Sequence, residues 1–138
     1  MRKIQRWRYY CDFCKKAGGS AGHMKRHESG CTANPGRVCR VCPHAEAAPA
    51  SLATLVEFVQ SKITWHPTMH DDAEPYGTID KAMSEELRRL ADGCPVCMFA
   101  ALRQSKAYVE DNGFKLKDEL KTLWSDVNDN NMRREHGY

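Results

Sequence analysis

The sequence lacks any apolar run approaching the roughly 18 residues that a membrane-spanning helix needs. Its first residues also lack the apolar segment of a secretory signal. We therefore expect a cytoplasmic protein with reduced thiols, which binds no membrane. A glycine-rich phosphate loop is missing as well, and no Ser or Cys nucleophile has an evident base beside it, which argues against several classes of enzyme.

What the sequence does contain is the length and composition of one globular domain: 138 residues, 41% hydrophobic and 28% charged. The charge is unevenly distributed, because residues 1–42 carry ten Lys or Arg and two acids, net +8, whereas residues 43–138 carry net −5. A basic segment ahead of an acidic body favours an anionic partner such as nucleic acid. The alternative is a solvated N-terminus that binds nothing.

Seven cysteines are an odd number that a closed disulfide framework cannot use fully, and reduced cysteines more often bind metal. Six of them form three Cys-x-x-Cys pairs, a spacing that presents two thiolates to one tetrahedral ion. The pairs are Cys11 with Cys14, Cys39 with Cys42, and Cys94 with Cys97.

The first predicted metal site is Cys11-x2-Cys14-x12-His27-x3-Cys31. His27 and Cys31 are four residues apart, which places them on one face of a helix. An alternative set replaces Cys31 with His23 and leaves Cys31 free.

The second predicted site combines Cys39 and Cys42 with Cys94 and Cys97, a four-thiolate set that is frequent in structural zinc sites. A helix is expected to begin at the second pair, where its dipole favours thiolates. His44 is a rival ligand. Cys94 and Cys97 could instead be small core residues, and a redox centre is disfavoured because the βαβ context is missing. Together the two sites predict two Zn²⁺ ions.

Residues 9–31 resemble the CCHC variant of the ββα zinc finger. The resemblance gives Tyr9 and Met24 core positions, and it departs from the family at Gly18, where an aromatic residue is usual. The second site resembles a treble-clef zinc site with an unusually long insertion. The segment Tyr9–Cys42 also resembles small uncharacterised zinc-finger proteins of bacteriophage and bacteria, which implies host cytoplasm or a virion as the location.

Apolar periodicity predicts four helices, at residues 51–64, from Ile79 to about Ala91, at 98–111 and at 115–128. Ser20 and Ser51 are predicted helix caps, and a loop is expected from Trp65 to Gly77. The expected fold is mostly α, and residues 1–36 form a basic arm followed by a small zinc-bound ββα finger. Residues 37–138 would form a helical domain clamped by the four-cysteine zinc.

The finger resemblance implies that Ser20, His23 and Arg26 face base edges in the DNA major groove. The other expected contacts go mainly to phosphate and come from basic side chains of the finger and the preceding arm. They are Arg2, Lys3, Arg6, Arg8, Lys15, Lys16 and Lys25.

We expect a non-enzymatic protein that binds nucleic acid, most simply DNA, and has no small-molecule substrate. The alternative is a zinc-stabilised protein–protein adaptor or a structural component of a larger assembly, such as a virion. A third hypothesis is a metal-dependent nuclease that uses the loop with His66, His70, Asp71 and Asp72.

Overall fold

The computed structural model describes residues 1–67 and 74–136, and helices account for about half of the chain. The helices are α1 (Ala21–Gly30), α2 (Cys42–Ala45), α3 (Leu52–Lys62), α4 (Lys81–Leu90), α5 (Pro95–Gln104) and α6 (Leu116–His136). The strands are β1 (Tyr9–Tyr10), β2 (Ala17–Gly18), β3 (Thr64–His66), β4 (Tyr76–Ile79) and β5 (Ala107–Val109). A 3₁₀ turn over Glu110–Asn112 follows β5.

A β-hairpin followed by a helix forms the N-terminal unit. Strands β1 and β2 are antiparallel, and the amide of Cys11 donates to the carbonyl of Lys16 inside the hairpin at 2.9 Å. Ser20 caps α1, because its hydroxyl accepts a hydrogen bond from the amide of His23 at 3.3 Å. The predicted cap and helix are therefore present, and they place His27 and Cys31 at the C-terminal end of α1.

The core of the molecule lies in the body formed by residues 37–136. Leu55 and Val59 of α3, Leu87 of α4, and Met98 of α5 are buried together there. Ser51, predicted as a helix cap, accepts a hydrogen bond from the Thr54 amide at the start of α3. Pro95 occupies the first turn of α5. The second and fourth predicted helices are also present, as α4 and α6.

A three-stranded sheet covers one side of the body, over residues that the sequence assigned to a loop and to parts of the predicted helices. Strand β4 lies in the centre, antiparallel to β3 and parallel to β5. Gly77 of β4 lies directly against Ile63, so that a Cβ atom at this position would overlap the Ile63 side chain. The loop prediction for residues 65–77 was therefore wrong at both ends, although its middle, residues 68–73, lies outside the described residues.

The prediction of the third helix was also wrong in its bounds. Instead of running over 98–111, α5 spans Pro95–Gln104 and ends at Ser105, and the chain then enters β5. Lys106 adopts a left-handed backbone conformation (φ 52°), which ends the helix and redirects the chain into the sheet. "Mostly α" is thus too simple a description, since a mixed sheet is part of the body.

Hydrogen bonds join the N-terminal unit to the body. Gln104 donates to the carbonyls of Thr32 and Asn34 at 3.0 and 3.2 Å, and Arg103 donates to the Thr32 hydroxyl at 2.9 Å. Arg40 donates to the carbonyl of Arg26 and to the Ser29 hydroxyl. These bonds cross the predicted domain boundary at residue 36, which itself stays a prediction.

Candidate metal centres

The first cluster forms where the hairpin turn meets the end of α1. The turn between β1 and β2 carries Cys11 and Cys14, and α1 presents His27 and the adjoining Cys31, as the spacing predicts. The four ligand atoms lie within 4.8 Å of one another, and Cys14 Sγ is 3.2 Å from His27 Nε2. This cluster could hold a metal ion.

Main-chain amides surround the sulfurs of the turn. Phe13 donates to Cys11 Sγ and Lys16 donates to Cys14 Sγ, both at 3.4 Å. Such N–H···S bonds orient the side chains and stabilise negative charge on sulfur. The chain is therefore arranged for thiolates at this turn.

The buried core of the N-terminal unit consists of Cys11, Met24 and Cys31, with Cys14 and Ala33 packed against it. Met24 occupies the core position that the finger resemblance implies, but Tyr9 is 37% exposed and does not. With Gly18 in place of an aromatic residue, most of this core is formed by the candidate metal ligands. So small an apolar core cannot stabilise a unit of this size alone, which fits a structural metal.

The second cluster lies at the centre of the body. Cys39 and Cys42 flank a turn that leads into α2, while Cys94 caps α5 and Cys97 lies in its first turn. The four sulfurs lie within 4.8 Å of one another, although 51 residues separate the two pairs in sequence. This cluster too could hold a metal ion.

Distances between the sulfurs fit tetrahedral coordination better than disulfides. Cys39 Sγ is 3.7 Å from Cys94 Sγ, and Cys42 Sγ is 3.4 Å from Cys97 Sγ. A disulfide would require about 2.05 Å. Tetrahedral zinc with bonds of about 2.3 Å separates its sulfurs by about 3.8 Å.

The electrostatics of the clusters show why a cation suits them. Burial opposes ionisation of Cys14, but hydrogen bonds from the Lys16 amide and from His27 outweigh it and lower its pKa to about 6. Burial raises the pKa of Cys31. One thiol of this cluster therefore ionises readily while another keeps its proton.

In the second cluster, too, one thiol has a lowered pKa and others have raised pKa values. The hydrogen bond with Cys97 is the main cause that lowers the pKa of Cys94 to about 5. Burial raises the pKa of Cys42 to about 12, and the neighbouring Cys94 thiolate raises that of Cys97. Four thiolates can coexist here only if a cation compensates their charge.

The rival histidines lie outside both clusters. His23 is exposed on α1, so the structure places Cys31 rather than His23 beside the other three ligands. His44 stacks edge-on against Trp124 of α6, with ring centroids 5.4 Å apart, and is not in the second group. Cys94 and Cys97 belong both to the second cluster and to the apolar core. The alternative that they are core residues is therefore correct about their burial.

Four of the ten side chains expected to contact nucleic acid line a groove of about 420 Å³ on the N-terminal unit. Lys16, Ser20, His23 and Arg26 line it, and Arg40 adds a cation that the sequence reading did not assign. Arg40 is one of the ten basic residues that give residues 1–42 their positive charge, so the sequence marked it as a candidate. Its position beside α1 depends on the tertiary fold.

The remaining basic side chains of this prediction are exposed. They are Arg2, Lys3, Arg6, Arg8, Lys15 and Lys25. Trp7 and Tyr10 in the same arm are 83% and 64% exposed and do not pack on the body. Among the residues that the structure describes, no ion pair neutralises a Lys or Arg of residues 1–42.

The loop proposed for nuclease chemistry is described only at its ends. His66 lies in β3, where its Nε2 is 2.8 Å from the Thr78 hydroxyl and its ring stacks on Tyr76. His70, Asp71 and Asp72 lie outside the described residues.

No protein-family model, no curated protein and no solved structure matches this chain. Within the described ranges, no helix has both the length and the apolar composition that crossing a membrane requires.

Proposed function

We propose that this chain is a two-zinc protein that binds nucleic acid through its N-terminal unit. In this proposal the hairpin and α1 form a CCHC ββα finger, and the four-cysteine cluster is a treble-clef-like zinc site that holds the body together. Both ions are structural, because each donor set supplies four protein ligands and leaves no position for substrate.

The observation that carries the nucleic-acid proposal is the groove beside α1. Ser20, His23 and Arg26 are exposed and line one side of it, at the helix positions that read bases in ββα fingers. A guanidinium such as that of Arg26 can bind a guanine O6/N7 edge in bidentate geometry. Lys16 and Arg40, which line the same groove, supply charge for phosphate.

The basic arm extends this surface. Residues 1–10 are exposed throughout, and they combine four Lys or Arg with Trp7, Tyr9 and Tyr10. Cations interleaved with aromatic rings suit phosphate contact and base stacking. One finger covers only about three base pairs, so the arm is expected to supply much of the affinity.

The test is fluorescence anisotropy with short duplex DNA and single-stranded DNA and RNA, titrated at several salt concentrations. We expect affinity to fall steeply with salt. The double variant Lys25→Ala/Arg26→Ala should bind about tenfold or more weakly and show a smaller salt slope while both metal ions remain bound.

The matched control is Lys117→Ala/Lys121→Ala, which removes the same charge from exposed positions of α6. This variant should bind like the native protein. Equal losses in both variants would show a nonspecific charge effect and contradict the assignment to α1. No affinity for any of the three nucleic acids would favour the adaptor alternative.

Catalysis is not part of this proposal. The nuclease alternative predicts metal-dependent hydrolysis of DNA or RNA that His70→Ala abolishes, and the binding assay can be run with the same substrates to detect it.

A further inference from the structure

A second surface lies on the body, and none of its lining residues belongs to the metal clusters or to the basic groove. A cleft of about 480 Å³ opens between α5, β5 and residues 112–116. Its apolar wall includes Phe99, Phe114 and Leu116, all of them only partly buried. The cleft is therefore lined by side chains that the core does not fully cover.

The cleft runs beside an open sheet edge. Strand β5 pairs with β4 on one side and has no strand on the other within the described ranges. The amide of Gly77 donates to the carbonyl of Lys106 at 3.0 Å, which fixes the phase of the parallel ladder. Backbone groups alternate in direction along a strand, so those of Ala107 and Val109 point away from β4.

The Val109 carbonyl is the first acceptor of the 3₁₀ turn over Glu110–Asn112. The Ala107 amide and carbonyl and the Val109 amide have no hydrogen bond to another helix, strand or loop in the part of the chain that the structure describes. Ala107 and Val109 are nonetheless buried residues that line the cleft. Buried backbone groups normally have partners, so an edge of this kind is a place where a further strand can add.

The charge at the rim indicates the chemistry of the partner. Lys106 pairs with Glu74 at 2.8 Å, which offsets both charges. Arg103, also at the rim, donates to the neutral Thr32 hydroxyl and has no carboxylate partner among the described residues. One cation is therefore left to attract an acidic group.

We propose that an extended peptide of a partner protein adds to the outer edge of β5 as a fourth strand. Its main chain pairs with the amide and carbonyl of Ala107 and with the amide of Val109. One large apolar side chain enters the cleft beside Phe99 and Phe114, and an acidic residue lies near Arg103. Strand addition of this kind draws its affinity from main-chain bonds and its selectivity from side-chain pockets. The proposal does not depend on nucleic-acid binding.

Single-stranded nucleic acid is the competing occupant, because the exposed rings of Tyr76 and Tyr108 lie next to the cleft. The Glu110 carboxylate, which accepts a hydrogen bond from the Thr78 hydroxyl, lies two residues from Tyr108, however, and it disfavours a phosphate backbone. The open backbone edge also favours a peptide, since bases stack without needing it.

The test is selection of a displayed library of random twelve-residue peptides on the full-length, zinc-loaded protein. We expect enriched peptides that contain a large apolar residue and an acidic one. They should bind Phe114→Glu at least about tenfold more weakly than the native protein. The control Trp65→Glu places the same carboxylate on an exposed aromatic position of β3, the strand at the opposite edge of the sheet, and it should leave peptide binding unchanged.

A second measurement does not depend on whether Phe114→Glu folds. N-methylation of alternate peptide amides should abolish binding at one parity and spare it at the other, because only every second amide faces β5. Binding should also slow hydrogen exchange of the Ala107 and Val109 amides. Failure to enrich any peptide, tolerance of N-methylation at both parities, or displacement of the peptide by oligonucleotides would overturn the proposal.

Discussion

At the scale of single residues, the spacing of Cys and His carries most of the information about the candidate sites. The sequence left Cys31 and His23 as rival ligands, and the structure brings Cys31 to the other three ligand atoms. The decisive factor is position along α1, because His23 and His27 are one turn apart on the same side of the helix. The turn that carries Cys11 and Cys14 meets the C-terminal end of α1, beside His27 and Cys31, and leaves His23 exposed one turn earlier.

The first prediction distinguishes Cys31 from His23 as the fourth ligand of the first cluster. Cys31→Ser should weaken zinc binding at the first cluster by more than the roughly 10- to 100-fold that loss of an outer-shell partner costs. His23→Ala should leave affinity and stoichiometry unchanged. Native mass spectrometry gives the number of bound ions, and competition with a chromogenic chelator gives their affinity. A loss in His23→Ala equal to that in Cys31→Ser would contradict the ligand set.

At the scale of elements, strongly periodic segments and capped helices were predictable, and short strands were not. The caps at Ser20 and Ser51 and helices α3, α4 and α6 follow from local signals. Strands β3 and β5 have three residues each, too few to show a period, and β5 continues the apolar pattern of α5. Their pairing with β4 depends on long-range contacts, which propensity does not report.

The central strand provides the second prediction. Gly77→Ala should destabilise the protein by about 1–3 kcal/mol, because the new methyl group overlaps Ile63. Chemical denaturation measures the free energy of unfolding. The control Gly19→Ala has no heavy atom within 4 Å of its Cβ position and should change stability little.

A double variant tests whether the overlap with Ile63 causes the loss of stability. If the overlap with Ile63 is the cause, Gly77→Ala should cost clearly less when Ile63 is already Ala, since that change removes the obstructing atoms. Equal costs in both backgrounds would show that the methyl group acts elsewhere.

At the scale of the whole molecule, the two clusters and the hydrogen bonds between them connect segments that are distant in sequence. Segment 32–42 links Cys31 of the first cluster to Cys39 and Cys42 of the second. Gln104 of α5 holds the same segment through the carbonyls of Thr32 and Asn34. A metal ion bound at either cluster is therefore expected to order segment 32–42, which connects it to the ligands of the other cluster.

The third prediction concerns pH. Without metal at neutral pH, Cys94, with its pKa lowered to about 5, is ionised, whereas the raised pKa values of Cys42 (about 12) and Cys97 keep these thiols protonated. Metal binding must therefore release at least two protons, and a fall in pH opposes it. Zinc affinity at the second cluster should therefore drop at least about 100-fold for the first pH unit below neutrality.

Chelator competition over one pH unit, in the Cys31→Ser background that impairs the first cluster, measures this slope. A slope of zero would show that Cys42 and Cys97 are already ionised without metal, in conflict with their burial. Circular dichroism of the same samples should show loss of helix as the metal leaves, because the second cluster lies in the apolar core.

The sequence by itself determined the three Cys-x-x-Cys pairs, the helix caps, most helices and the concentration of positive charge in residues 1–42. These features depend on spacing and composition, which act locally. The tertiary structure alone decided that Arg40 joins the groove, that Tyr9 stays exposed, and that β3, β4 and β5 form a sheet with an open edge beside a cleft. Each of these depends on contacts between distant segments, whose free energy no local pattern contains.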